Sequence, residues 1–172
     1  MLYKEIKEKA KQIDDFIEKN SKSFSIPMKE VDVIIRYLFP ACYIKSKGWF
    51  KTVFKVCSKG DSVVLKIGKK KSIQADMKAY KKIPHNIRKK YFAKIFWHTK
   101  HTILQEYGED VKPTPAEVEK MKKLALKYGI GDIKDKNIRS FNGKLKIVDF
   151  NIKEPGIDKI NFIKEYLSVR FS

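Results

Sequence analysis

The sequence is poor in the residues that build disulfide frameworks, metal clusters and membrane spans. Only two cysteines, Cys42 and Cys57, occur in 172 residues. Neither belongs to a CxxC pair or has a histidine at zinc-ligand spacing, which argues against a structural zinc site and points to buried free thiols rather than a disulfide. The three histidines, His85, His98 and His101, form no metal box, and His98 with His101 is expected only to border a turn. No run reaches the roughly 18 to 20 apolar residues that cross a bilayer. Met1 to Lys11 is charged and amphipathic rather than signal-like. A soluble, cytoplasmic chain without a membrane partner is therefore expected. A Walker-type phosphate loop is also missing, because Gly68-Lys69-Lys70-Lys71-Ser72 lacks the second glycine that such a loop requires.

Acidic residues are outnumbered about two to one. Twenty carboxylates face 39 basic side chains, for a formal charge of +19 and a pI near 9.8. A field of that sign favours anionic partners: nucleotide phosphates, nucleic acid or an acidic protein. A lysine-rich solvated surface explains the same numbers equally well. The basic clusters at Lys69 to Lys71, Arg88 to Lys90 and Lys120 to Lys123 lack the interleaved aromatics of a dedicated single-strand reader. Nucleic-acid binding is therefore expected to be weak, indifferent to sequence and steeply dependent on salt.

A chain of this length holds one modest core or two small lobes around one cleft. Tyr3, Ile6, Ala10, Ile13 and Ile17 recur at helical spacing, which predicts an amphipathic helix over 3–19. Pro27 is placed to open a second helix through Val31, Ile34, Ile35 and Leu38. From Ala41 the pattern turns to β: strands are expected over 41–45, 52–58 and 62–67, then a helix over 72–82 capped by Ser72 and a short basic helix over 85–90. Two further strands are expected around Tyr91 to Trp97 and Thr102 to Gly108. Thr114-Pro115-Ala116-Glu117 carries a capping box with proline at the first helical position, and Gly129 stops that helix. Asn142-Gly143 marks a hairpin, and Ile157, Ile160, Ile163, Tyr166 and Leu167 predict a closing helix.

Chemistry concentrates between Gly129 and Asn151. Asp132, Asn137 and Asp149 place a carboxylate and a carboxamide on one loop and a second carboxylate at a strand end. That set suits phosphoryl transfer, in which Mg²⁺ takes hard oxygens from one or two carboxylates, an amide and the nucleotide phosphates. A further signal lies in Val63-Val64-Leu65-Lys66-Ile67, where one lysine interrupts an apolar strand and needs an anion to offset its burial.

In order along the chain, Lys66, Asp76, Gln105-Glu106-Tyr107-Gly108, Asp132-Ile133-Lys134-Asp135-Lys136-Asn137 and Ile147-Val148-Asp149-Phe150 together resemble the motifs of the protein-kinase superfamily. The resemblance implies an α+β, bilobal, protein-kinase-like fold: a helical N-terminal extension over 1–40, an N-lobe over 41–110 with a five-stranded antiparallel sheet and one main helix, and a reduced helical C-lobe over 111–172. It implies ATP and Mg²⁺ as cofactors, with Asn137 and Asp149 on the metal. Asp132 would orient or deprotonate the acceptor, and Lys134 would contact the γ-phosphate. Lys66 would hold phosphates and pair with Asp76, and Glu106 and Gly108 would read the adenine edge through their backbone. Gly48 stands at one position of the family's glycine-rich loop. Ser46 and Lys51 occupy the other two, where Lys47 or Lys51 can supply charge in place of backbone N–H groups.

Several positions depart from the family pattern. Ile130-Gly131 replaces its His-Arg, Asn151 replaces the glycine after Asp149-Phe150, and the residues after Phe150 are too few for a full activation segment and substrate lobe. Two functions stay open: an ATP- and Mg²⁺-dependent transferase acting on a Ser/Thr hydroxyl of a protein, and a non-catalytic nucleotide-binding pseudokinase or basic RNA-associated adaptor.

Overall fold

The computed structural model describes residues 2–21, 28–40, 42–47, 51–58, 61–131 and 133–150. The expected closing helix near 157–167, Gly48 and Asp132 lie outside the described residues. The chain is a mixed α+β fold. In order it runs α1 (Leu2–Asn20), α2 (Met28–Leu38), β1 (Cys42–Lys47), β2 (Lys51–Ser58), β3 (Asp61–Gly68), α3 (Lys70–Lys82), α4 (His85–Tyr91), β4 (Ile95–His98), β5 (Thr102–Glu106) and α5 (Pro115–Leu126). A 3-10 turn (Asp135–Asn137) and the hairpin β6 (Ile138–Phe141) and β7 (Lys144–Ile147) follow. The first five strands form one antiparallel sheet in the order β1-β2-β3-β5-β4.

Alternation along the strands gives this sheet two different faces. Phe54, Leu65 and Leu104 lie in register across β2, β3 and β5, and Thr52, Ile67 and Thr102 form the next row. All six are buried. Ile6, Ile13 and Ile17 of α1 and Val31 and Ile35 of α2 join Phe54, Leu65, Ile67 and Leu104 in one apolar cluster. The two N-terminal helices are thus part of the sheet's core, which agrees with a packing role for them. Each fully buried isoleucine contributes on the order of 2 kcal/mol. The opposite face carries Lys51, Val53 and Lys55 of β2, Val64 and Lys66 of β3, and Ile103 and Gln105 of β5. It turns toward α3 and the β6–β7 hairpin.

A second apolar cluster lies on that side. It joins Ile73, Met77 and Tyr80 of α3, Met121 and Ala125 of α5, Ile138 of β6 and Ile147 of β7 with Phe92 and Phe150. The β6–β7 turn is made by Asn142 (φ 50°) and Gly143 (φ 77°), the left-handed pair that a two-residue hairpin requires. At α5, Thr114 Oγ1 accepts from the Glu117 backbone N–H, and the Glu117 carboxylate accepts from the Thr114 N–H at 2.8 Å, completing the capping box read from sequence. Gly129, at φ 75°, ends the turn after that helix. The start of α3 differs from expectation. It begins at Lys70 with Lys69 at the cap, so Ser72 sits inside the first turn rather than capping it.

The β4–β5 turn is held by α1. The buried Asp14 carboxylate accepts from the Thr99 hydroxyl (3.0 Å), the Lys100 N–H (2.8 Å) and the His101 N–H (3.1 Å). His101, also buried, joins the Gly68 carbonyl (3.0 Å) to the Glu18 carboxylate (2.7 Å) through its two ring nitrogens. The histidine does border a turn, but it also ties α1 to the end of β3. Asp14→Ala would strand the buried His101 N–H and the part-buried Lys100 N–H and is expected to cost about 3 kcal/mol. Urea unfolding checks this, and a loss below about 1 kcal/mol would show that water substitutes for the carboxylate.

Candidate active site

The segment after β7 passes under the sheet's inner face, and the backbone fixes it there. The Val148 N–H donates to the Asn137 carbonyl (2.9 Å), and the Val148 carbonyl accepts from Gln105 Nε2 (3.2 Å) and from Lys66 Nζ. Phe150 is fully buried, edge-on to Tyr80 with centroids 5.1 Å apart and stacked on Phe92 at 6.0 Å. Asp149 is therefore clamped between a carbonyl anchored to β3 and β5 and a ring anchored to α3.

Four charged side chains meet at Asp149. Lys51 Nζ is ion-paired with Asp76 Oδ2 and lies 3.4 Å from Asp149 Oδ1. Asp149 Oδ1 also accepts from the Phe150 N–H (3.0 Å), and its Oδ2 accepts from Asn137 Nδ2 (3.3 Å). The side chains of Lys51 and Asp76 are 8% and 2% exposed, whereas that of Asp149 is 24% exposed, so Asp149 is the member that solvent and ligands can reach. Burial alone would lower the Lys51 pKa, but Asp149 and Asp76 outweigh it and hold the ammonium above its ordinary range. Burial pushes the Asp76 carboxyl up against the pull of Lys51 and Lys66. Burial acts on Asp149 in the same sense, but Lys51, Lys66 and its hydrogen bonds prevail and keep it below the usual carboxylate range.

This geometry corrects one expectation. Asp76 on α3 pairs with Lys51 of β2, not with Lys66 of β3. Aspartate is one methylene shorter than glutamate, and the lysine that meets it comes from the strand position opposite Gly68, close to where α3 begins. Lys66, 5% exposed, instead donates to the Val148 carbonyl and sits 5.6 Å from the Phe150 ring centroid. Its pKa is pulled down to about 8, chiefly by burial, with Asp149 opposing.

The other predicted residues sort by position. Asn137 reaches the centre: its side-chain oxygen accepts from the Lys134 N–H (2.9 Å) while its amide nitrogen faces Asp149. The Lys134 side chain is exposed at the head of the 3-10 turn. Glu106 holds the backbone rather than the centre: its N–H donates to the Lys94 carbonyl (2.8 Å), and its carboxylate takes the Lys94 N–H (3.0 Å) and Lys146 Nζ (3.1 Å). Gly108 is buried where β5 exits against β6, and a Cβ there would lie 2.5 Å from the Phe141 ring and 2.7 Å from Arg139 Cβ. Close approach of two chain segments is what this glycine serves in the structure. Gln105 was not singled out from sequence. Nothing in its spacing marks it, because a glutamine on a strand is distinctive only once the Val148 carbonyl is seen opposite.

Asp149 and Asn137 are a donor pair that fits part of a magnesium shell, the remainder of which would come from other ligands. Among the described residues no group of three or more His, Cys, Asp and Glu could cage a metal. One carboxylate and one carboxamide stand side by side at Asp149 and Asn137, and Mg²⁺ commonly takes one or two protein oxygens and completes its shell with phosphates and water. Asn137 would have to exchange its contact with the Lys134 N–H for the ion.

Lys66 gives the site a pH signature. Its folded value near 8 lies below its ordinary 10.5. Between those values the unfolded chain binds more protons, so the cost of burying the ammonium, fully present below about pH 8, is relieved as pH rises. Relative to Lys66→Met, the wild type should gain about 2 kcal/mol between about pH 7.5 and about pH 9.5. Urea unfolding of both at the two pH values measures it, and a pH-independent difference would contradict the depressed value.

No protein-family model and no curated protein matches this chain. Among solved structures it is similar to residues 1–466 of Rad53 in complex with AMP-PNP, at 18% sequence identity and a TM-score of 0.44, over 82% of this chain and 48% of that one. This chain thus spans about half the length of that structure.

Proposed function

We propose that this protein is an ATP- and Mg²⁺-dependent phosphotransferase of protein-kinase type that phosphorylates a Ser or Thr hydroxyl of a protein. The observation that carries the reading is the partly open Asp149 carboxylate, with Asn137 on one side and two buried lysines near it. A structural ion pair needs no carboxamide and no opening to solvent. A site for a metal-bound polyphosphate needs both, together with cations that offset the phosphate charge.

In this reading Asp149 and Asn137 would hold Mg²⁺, and the ion would supply positive charge to offset that of the phosphates. The strip of half-buried Val53 and Val64 on the sheet's inner face offers an apolar bed for the base, with the backbone after Gln105, at Glu106 and Gly108, along its edge. Asp132, five residues before Asn137, orients the acceptor hydroxyl and takes its proton; the exposed Lys134 reaches the γ-phosphate. An acidic acceptor suits the surface around α5. There Lys120, Lys123 and Lys127 outnumber Glu119 around a groove of about 550 Å³ that Tyr91 and Leu124 also line.

Transfer of label from γ-labelled ATP to a protein acceptor tests the reading. Asp132→Asn is expected to lower the rate by about 10² to 10⁴, the usual worth of a general base. Transfer within threefold of wild type in that variant would remove Asp132 from the reaction. Nucleotide binding without any transfer would establish the pseudokinase instead.

A further inference from the structure

Two lysines approach Asp149, and the structure distinguishes what each does. Lys66 is committed to the backbone: its ammonium bonds the Val148 carbonyl, the same oxygen that Gln105 holds at 3.2 Å. Lys51 is committed to carboxylates, tightly to Asp76 and at 3.4 Å to Asp149. In a phosphotransferase of protein-kinase type the phosphate-binding lysine is positioned by an acidic group on the neighbouring helix, and it needs a contact that can be exchanged for a phosphate oxygen. Lys51 has both. Asp76 on α3 fixes it, and the longer contact, to the carboxylate assigned to metal, is the one to be replaced. Lys66 has no carboxylate partner on α3; its contact is the Val148 carbonyl, which Gln105 also holds, next to Asp149.

We propose that Lys51 of β2, rather than Lys66 of β3, is the lysine that grips the nucleotide's phosphates, with Asp76 as its positioning partner, and that Lys66 anchors the metal-bearing segment to the sheet. The assignment rests on the phosphotransferase reading. It also explains a sequence substitution: Lys51 stands at a position of the glycine-rich loop where a glycine would leave a backbone N–H for phosphate, and here an ammonium takes over that function.

The test compares affinity for ATP with affinity for adenosine, which lacks phosphates, in the full chain carrying Lys51→Met, Lys66→Met or neither. Because Lys51→Met strands the buried Asp76 carboxylate, the double variant Lys51→Met/Asp76→Asn is measured beside it. Circular dichroism establishes that each variant is folded. The wild type should prefer ATP. Both Lys51 variants should lose about thirtyfold of that preference, as expected for a charge-assisted contact, and keep their adenosine affinity. In magnesium-free buffer, where Asp149 carries no ion, Lys66→Met should lose clearly less of the ratio than either Lys51 variant, since it reaches the nucleotide only through the placement of Asp149. A Lys66→Met loss equal to or larger than that of Lys51→Met overturns the assignment and leaves the phosphotransferase reading standing. A wild type that binds neither ligand removes that reading, and the assignment with it.

Discussion

The arrangement depends on burying two ammonium groups and two carboxylates in one place. Lys51, Lys66, Asp76 and Asp149 come from β2, β3, α3 and the segment after β7. Each ion costs several kcal/mol to desolvate, and only mutual pairing and hydrogen bonds offset that. The formal charges cancel (+2 − 2 = 0), but Asp149 alone keeps substantial exposure. Such a cluster is a poor way to gain stability, since apolar residues of equal volume commonly do as well or better. In the proposed reading it is a prepared electrostatic environment, in which an incoming anion and cation would replace a lysine–aspartate contact without opening the core.

The rest of the molecule serves to hold that cluster. Helices α1 and α2 cover the outer face of the sheet, and Asp14 fixes the turn between β4 and β5, so Gln105 meets the Val148 carbonyl from a rigid strand. On the other side, Phe150 is wedged between Tyr80 and Phe92, which ties the position of Asp149 to α3. A displacement of α3 would move Asp76 and the Phe150 socket together. The net charge of +19 acts at a longer range and favours anionic partners over neutral ones.

Much of this is legible in the sequence. The hairpin at Asn142-Gly143, the Thr114 capping box and the stop at Gly129 each follow from local backbone chemistry, and local chemistry survives folding. The grouping of Asn137 with Asp149 was legible as well, because a short hairpin separates them and brings its ends together. The lysine partner of Asp76 was not. Choosing between Lys51 and Lys66 depends on how far α3 sits from two adjacent strands, a difference of a few ångströms that no spacing rule encodes. Serine favours a helix cap, which is why the sequence points to Ser72, yet α3 begins at Lys70 with Lys69 at the cap. Glu106 and Gly108 were read for their backbone, and the structure adds a side-chain clamp to Lys146 and a close approach to Phe141.

The claim at the centre is that the charged cluster is a nucleotide and metal site rather than a structural ion-pair network. Thermal unfolding of the wild type and Asp149→Ala, each with and without ATP and Mg²⁺, addresses it directly. A ligand at a hundredfold excess over Kd stabilises the native state by about 2.7 kcal/mol, so the wild-type midpoint should rise and the variant's should move little. Equal shifts in the two proteins, or none in either, would contradict the account.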